Sequence, residues 1–114
     1  MAFSAAVAEV PVRDVAAAQA EYRDRMGFEV AWTRAEDGIG AVAHGDCAVF
    51  FRATSGPIVP VVLWIFAEDL EAAYSDFEAR GAQVLGPIAQ MPWGLRQFTV
   101  RDSSGHLLHF HHDV

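Results

Sequence analysis

Val10-Pro11-Val12-Arg13-Asp14-Val15, an alanine-rich run to Tyr22, and Met26-Gly27-Phe28-Glu29-Val30 form a series of signals that the chain states twice. The second statement reads Trp64-Ile65-Phe66-Ala67-Glu68-Asp69-Leu70, then Ala72-Ala73-Tyr74, then Arg80-Gly81-Ala82-Gln83-Val84. Each runs from an apolar segment to an Asp, through a helical stretch carrying a Tyr, to a Gly and a second apolar segment. Asp14 lies 13 positions before Gly27, and Asp69 lies 12 before Gly81. An aspartate at a helix start accepts hydrogen bonds from the free amides of the first turn. Val15, Ala18, Tyr22 and Met26 share one face of the first helix, as Leu70, Ala73 and Phe77 do in the second. Gly27 and Gly81 suit the left-handed residue that ends a helix.

Outward from these two cores, short apolar segments read as strands: Phe28–Trp32, Gly40–His44 and Ala48–Arg52, then Val84–Leu85, Gln97–Val100 and Leu107–His111. Asp37-Gly38, Gly45-Asp46 and Ser103-Ser104-Gly105 supply the turns. Residues 55–60, beginning Ser55-Gly56-Pro57 and ending at Pro60, read as a linker. The expectation is one α+β domain over residues 1–114, built of two tandem βαβββ modules, 1–54 and 61–114. A Gly-containing turn before the last strand of each half is a third correspondence between them.

A chain of 114 residues, 53% hydrophobic, has enough apolar material for a core. The net charge is −7, and all eight basic residues are Arg. Without a basic run there is nothing to neutralise phosphates, so nucleic acid is excluded as a partner. The acidic balance favours cationic ligands. Cys47 is the single cysteine, which precludes an internal disulfide and fits a reducing compartment. With no long apolar run and no signal-peptide pattern, the expectation is a cytoplasmic protein with no membrane partner.

Val12-Arg13-Asp14-Val15, Tyr22-Arg23-Asp24-Arg25-Met26-Gly27-Phe28, Met91-Pro92-Trp93-Gly94, Val100-Arg101-Asp102 and Gly105-His106-Leu107-Leu108-His109-Phe110 together resemble the vicinal-oxygen-chelate superfamily of glyoxalases, extradiol dioxygenases and bleomycin-resistance proteins. The Pro-Trp-Gly segment leading into Val-Arg-Asp is most similar to the resistance branch. The resemblance implies curled sheets forming clefts, a two-fold homodimer, and exchange of the N-terminal strand about a hinge, for which Pro11 is the candidate. It also implies antibiotic binding and resistance, with a bleomycin-type antibiotic or a similar small molecule as partner.

Enzymatic members hold a divalent metal with His, Gln or Glu side chains from four strands. The corresponding places fall near Val7, Phe51, Val62 and His109, and three of these are apolar. Glu9 lies on the same strand face as Val7. His109 and His111 form a His-x-His pair that suits Zn, Ni or Cu, although a usable site wants three or four ligands. The alternative reading of these histidines is a polar strand end with an exposed tail at residues 112–114. No metal or other cofactor is therefore expected, and a metal-dependent glyoxalase- or dioxygenase-type enzyme is the alternative function. Binding of another metabolite is a third. His44 and His106 flank turns and are expected at the surface, and Cys47 is expected in the interior.

By resemblance, Trp32, Trp64 and Trp93 fall at or near positions that line the drug cleft in resistance proteins, and Ile39 falls at a further aromatic position. A flat ring stacked between indoles gains about 0.5–1.5 kcal/mol per aromatic pair beyond area burial, and a cationic tail gains from carboxylates and ring faces. Glu36, Asp37 and Asp46 are the expected acids at the cleft mouth. With Phe51 and His109 they complete the candidate ligand-binding set.

Overall fold

The computed structural model describes residues 1–113. In chain order the elements are β1 (Ala8–Val12), α1 (Val15–Met26), β2 (Glu29–Arg34), β3 (Ile39–His44), β4 (Cys47–Ala53), β5 (Val62–Phe66), α2 (Leu70–Ala79), β6 (Gln83–Gln90), β7 (Leu95–Arg101) and β8 (Leu107–Asp113), with one 3₁₀ turn at Ala35–Asp37 between β2 and β3. Two four-stranded sheets result, ordered β1-β4-β3-β2 and β5-β8-β7-β6. In each, the first strand pairs parallel to the last and the remaining pairs are antiparallel. The same order in both halves is the βαβββ unit stated twice. Among the described residues no helix is long and apolar enough to cross a membrane.

The helix ends form as the sequence dictates. Asp14 Oδ1 accepts the Ala17 amide at 3.0 Å and Asp69 Oδ1 accepts the Ala72 amide at 3.0 Å. Gly27, at φ 72°, ends α1 with the Phe28 amide reaching back to the Tyr22 carbonyl, a closure that needs a residue without a Cβ. The predicted faces are the buried ones: Val15, Ala18, Tyr22 and Met26 in α1, Leu70 and Phe77 in α2. Each face lies on the sheet of its own module, where Val10, Val12, Val42, Val49 and Phe51 meet α1 and Phe98, Val100, Leu108 and Phe110 meet α2.

Two strand expectations need correction. β6 runs eight residues, far beyond Val84–Leu85, because Gly86 and Pro87 fall within a register shift between Leu85 and Ala89 rather than ending the strand. Proline is tolerated there because β6 is an edge strand. β8 continues through His112 and Asp113, so these residues are paired with Arg96 and Leu95 and form no loose tail; Val114 lies outside the described residues.

The modules are tied together at the β7–β8 turn. Asp102, only 4% exposed, accepts the Tyr22 hydroxyl at 2.7 Å from α1 and the amides of Ser104 at 3.0 Å and His106 at 2.9 Å. Burial first, and the Asp102 carboxylate second, hold the Tyr22 phenol protonated far above its ordinary range. His106 is fully buried, contrary to the surface position expected of it. Its Nδ1 accepts the Val61 amide at 3.0 Å, which fixes the proton on Nε2, and Nε2 donates to the Pro11 carbonyl at 2.7 Å. That imidazole therefore joins β1 of the first module to the start of β5 in the second.

Candidate functional site

With the helices on one face of each sheet, strand alternation turns the other residues outward. On the first sheet the outward row crosses Trp32, Ala41 and Phe50, which the register places side by side. Trp32 and Phe50 meet edge to face at 5.1 Å between ring centroids. Along the same face Glu9 and Arg52 form an ion pair at 2.9 Å. Ile39 lies opposite Arg52 and Arg34 on this face.

On the second sheet one outward row runs Trp64, His109, Thr99 and Leu85, and the next runs Phe66, His111, Gln97 and Ala89. Trp64 leans on His109 at 4.4 Å between centroids. Thr99 Oγ1 and His109 Nδ1 lie 2.6 Å apart. Trp93, in the loop between β6 and β7, donates its indole N–H to Gln97 Oε1 at 3.2 Å. The face is thus an aromatic frame around a polar floor. The three indoles are 39% (Trp32), 51% (Trp64) and 57% (Trp93) exposed, although tryptophan is normally well buried.

Sequence reading and structure part company at several candidates. Trp64 and His109 meet on the second sheet and Trp93 bonds to Gln97 of the same sheet, whereas Trp32 and Ile39 belong to the first. Phe51 points into the core at 0% exposed, so it lines no outward face; the outward residue at this point of β4 is its neighbour Phe50. Glu36 and Asp37 sit in the β2–β3 connection, where Arg34 pairs with both, at 3.6 and 2.9 Å. Asp46 lies in the β3–β4 turn at the opposite end of β3. The three acids therefore form no common mouth. Gln97 and Phe50 were the residues missed.

The donor side chains do not fit a metal. Among the described residues no group of three or more His, Cys, Asp or Glu gathers as a ligand set. Val7 and Val62 are outward and apolar, Phe51 is buried, and Glu9 is held by Arg52. His109 already shares Nδ1 with Thr99.

Partial burial pushes the His109 pKa below its ordinary value. The unfolded chain then binds more protons than the folded one between the folded pKa and about 6.5. Stability is fully present above about pH 6.5, falls as pH drops through that window, and levels off below it. Urea midpoints measured across this range should show that slope for the native chain and a shallower one for His109→Gln. Equal slopes would show that His109 is not desolvated in solution. Burial also raises the Cys47 thiol, a half-buried group with no role in this face.

Two cavities lie away from the indoles. One of about 430 Å³ opens beside the α1 N-terminus, between Val12, Ile58 and Ser104, and one of about 170 Å³ lies between Arg25, Gly81 and Arg101. The aromatic faces are open surfaces of the single chain.

Two βαβββ modules that cover one face of each sheet with a helix and leave the other open define the class. The chain belongs to the Glyoxalase/Bleomycin resistance protein/Dioxygenase superfamily, whose sequence profile matches residues 4–110. No curated protein sequence matches it. Among solved structures it is similar to TioX from Micromonospora sp. ML1, with 24% identity, TM-score 0.85 and 98% of this chain and 100% of that chain covered. It is also similar to a bleomycin-binding protein complexed with bleomycin, at 22% identity and TM-score 0.84, covering 98% and 100%. A bleomycin resistance determinant encoded on transposon Tn5 gives 22% identity, TM-score 0.84 and coverage of 97% and 98%. At these identities the likeness is one of fold.

Proposed function

We propose that the protein is a sequestering binding protein that holds a flat, cationic small molecule, such as a bleomycin-type antibiotic, against its aromatic sheet faces and breaks no bond in it. The observation that carries this reading is the outward placement of two exposed indoles, Trp32 and Trp64, on sheets whose other faces already supply the core, with a third, Trp93, in the loop beside the second sheet. Large rings left in water cost stability unless something covers them, and contiguous exposed apolar surface marks an interaction site. Stacking supplies affinity for a planar guest. Attraction of a positive tail comes from the overall charge of −7 rather than from an acidic mouth at Glu36, Asp37 and Asp46.

A two-fold homodimer is the working form in this proposal. The chain exposes 6759 Å², against roughly 6,100 Å² for a compact monomer of its mass. It is also flat, at 43 × 41 × 24 Å. A second copy laid over the open faces would turn each from a surface into a cleft. In this chain β1 pairs with its own β4; exchange about Pro11 would place the same strand on the partner.

Titration with bleomycin should quench tryptophan fluorescence with half-saturation at or below tens of micromolar, on the order of weak small-ligand binding. Trp64→Phe should reduce both the signal change and the affinity. Absence of any quench at those concentrations would rule out this ligand.

A further inference from the structure

Gln97 has a donor to spare at the centre of the floor. The residue is 7% exposed, and its side-chain orientation is fixed because Oε1 accepts the Trp93 indole N–H at 3.2 Å. An indole nitrogen only donates, so the amide oxygen must face Trp93 and the amide nitrogen must face the other way. Among the described residues that nitrogen makes no hydrogen bond within the protein, while beside it His109 Nδ1 is taken by Thr99 and His111 Nδ1 is shut off from water with no partner. Gln97 and His111 are directly paired across β7 and β8.

Trp64 and Phe66 stand on β5 and Trp93 stands over β7, with β8 between them. Neighbouring strands are about 4.8 Å apart, so these walls are separated by roughly two strand spacings. A flat ring entering between them has aromatic side chains on both flanks and brings one edge down to the floor.

From this geometry we infer that Gln97 determines specificity, selecting flat aromatic ligands whose inserted edge carries a hydrogen-bond acceptor, a carbonyl oxygen or ring nitrogen, over ligands with an apolar or donor edge. The inference rests on the sequestering reading above and adds the chemistry of the edge. Buried polar groups seek partners, and a ligand that leaves the amide N–H₂ dry and unpaired is rejected on that account.

Two probes of the same fused-ring size separate the possibilities: 2-methylisoquinolin-1-one, whose edge carries a carbonyl and no N–H, and 1-aminonaphthalene, with an amine edge. Millimolar titrations of ¹⁵N-labelled protein would follow the Trp64 and Trp93 indole N–H signals and the Gln97 side-chain amide. The native chain should bind 2-methylisoquinolin-1-one about tenfold more tightly, the factor of one neutral hydrogen bond, with the Gln97 amide signal moving. Gln97→Glu retains an oxygen for Trp93 and replaces the free donor by an acceptor, so the preference should reverse. Equal binding of both probes, unchanged by Gln97→Glu, would overturn the edge selection and leave ring sequestration standing. Failure of both probes to move any indole signal would overturn both readings.

Discussion

Replacing Asp102 by Ala should lower the unfolding free energy by about 3–5 kcal/mol, a large share of the ~5–15 kcal/mol typical of a domain. Three donors converge on this carboxylate: the Tyr22 hydroxyl and the amides of Ser104 and His106. Tyr22 is fully buried, so its hydroxyl would lose its partner with no water to replace it. The loss would also loosen the turn that carries His106, and with it the contact from Nε2 to the Pro11 carbonyl. Asp102→Asn should cost far less, about 1 kcal/mol, because its Oδ1 still accepts the two amides and the phenol can turn to accept from Nδ2. Urea denaturation of the two variants measures the difference. Costs within about 0.5 kcal/mol of each other would mean that the carboxylate is not what joins the modules.

What could be read in advance follows the range of the interaction. Helix caps at Asp14 and Asp69, the αL glycines Gly27 and Gly81, and the buried faces led by Tyr22 and Phe77 depend on neighbours within a turn or two, and the duplicated order emerged from them. His106 was misplaced because Gly105 before it signals a turn, whereas its burial comes from Pro11, 95 residues away. β6 was cut short because Gly86-Pro87 reads as a break unless the strand is known to be at an edge. The acids were grouped by sequence distance from the cleft residues, but β3 sets Asp46 at one end and Asp37 at the other. At the candidate site, Trp64, Trp93 and His109 were legible from resemblance. Gln97 was not, since a lone Gln in a strand carries no signal until Trp93 is seen to bond to it.

Phe50 and Phe51 pose the sharpest test of the register that builds both faces. The run Ala48-Val49-Phe50-Phe51 is apolar throughout, so alternation alone does not say which ring is inside. Pairing decides it: Phe51 lies opposite Val10 on one side and Gly40 on the other, and Gly40 leaves room for α1, where an added Cβ would come within 2.7 Å of Gln19 and Val15. Phe51 meets Tyr22 edge to face at 4.9 Å in the core, while Phe50 meets Trp32 on the open side. Phe51→Ala should therefore cost about 3–5 kcal/mol through lost burial and a cavity under α1. Phe50→Ala, on a face that water already reaches, should cost under about 1 kcal/mol. Its effect should appear instead as altered Trp32 fluorescence and, in the proposed dimer with a ligand spanning both faces, as weaker quenching by bleomycin. Chemical denaturation reads the first contrast and titration the second. Equal stability losses would mean that β4 is not held in the register shown, and with it would fall the assignment of Trp32 to a face that a ligand can reach.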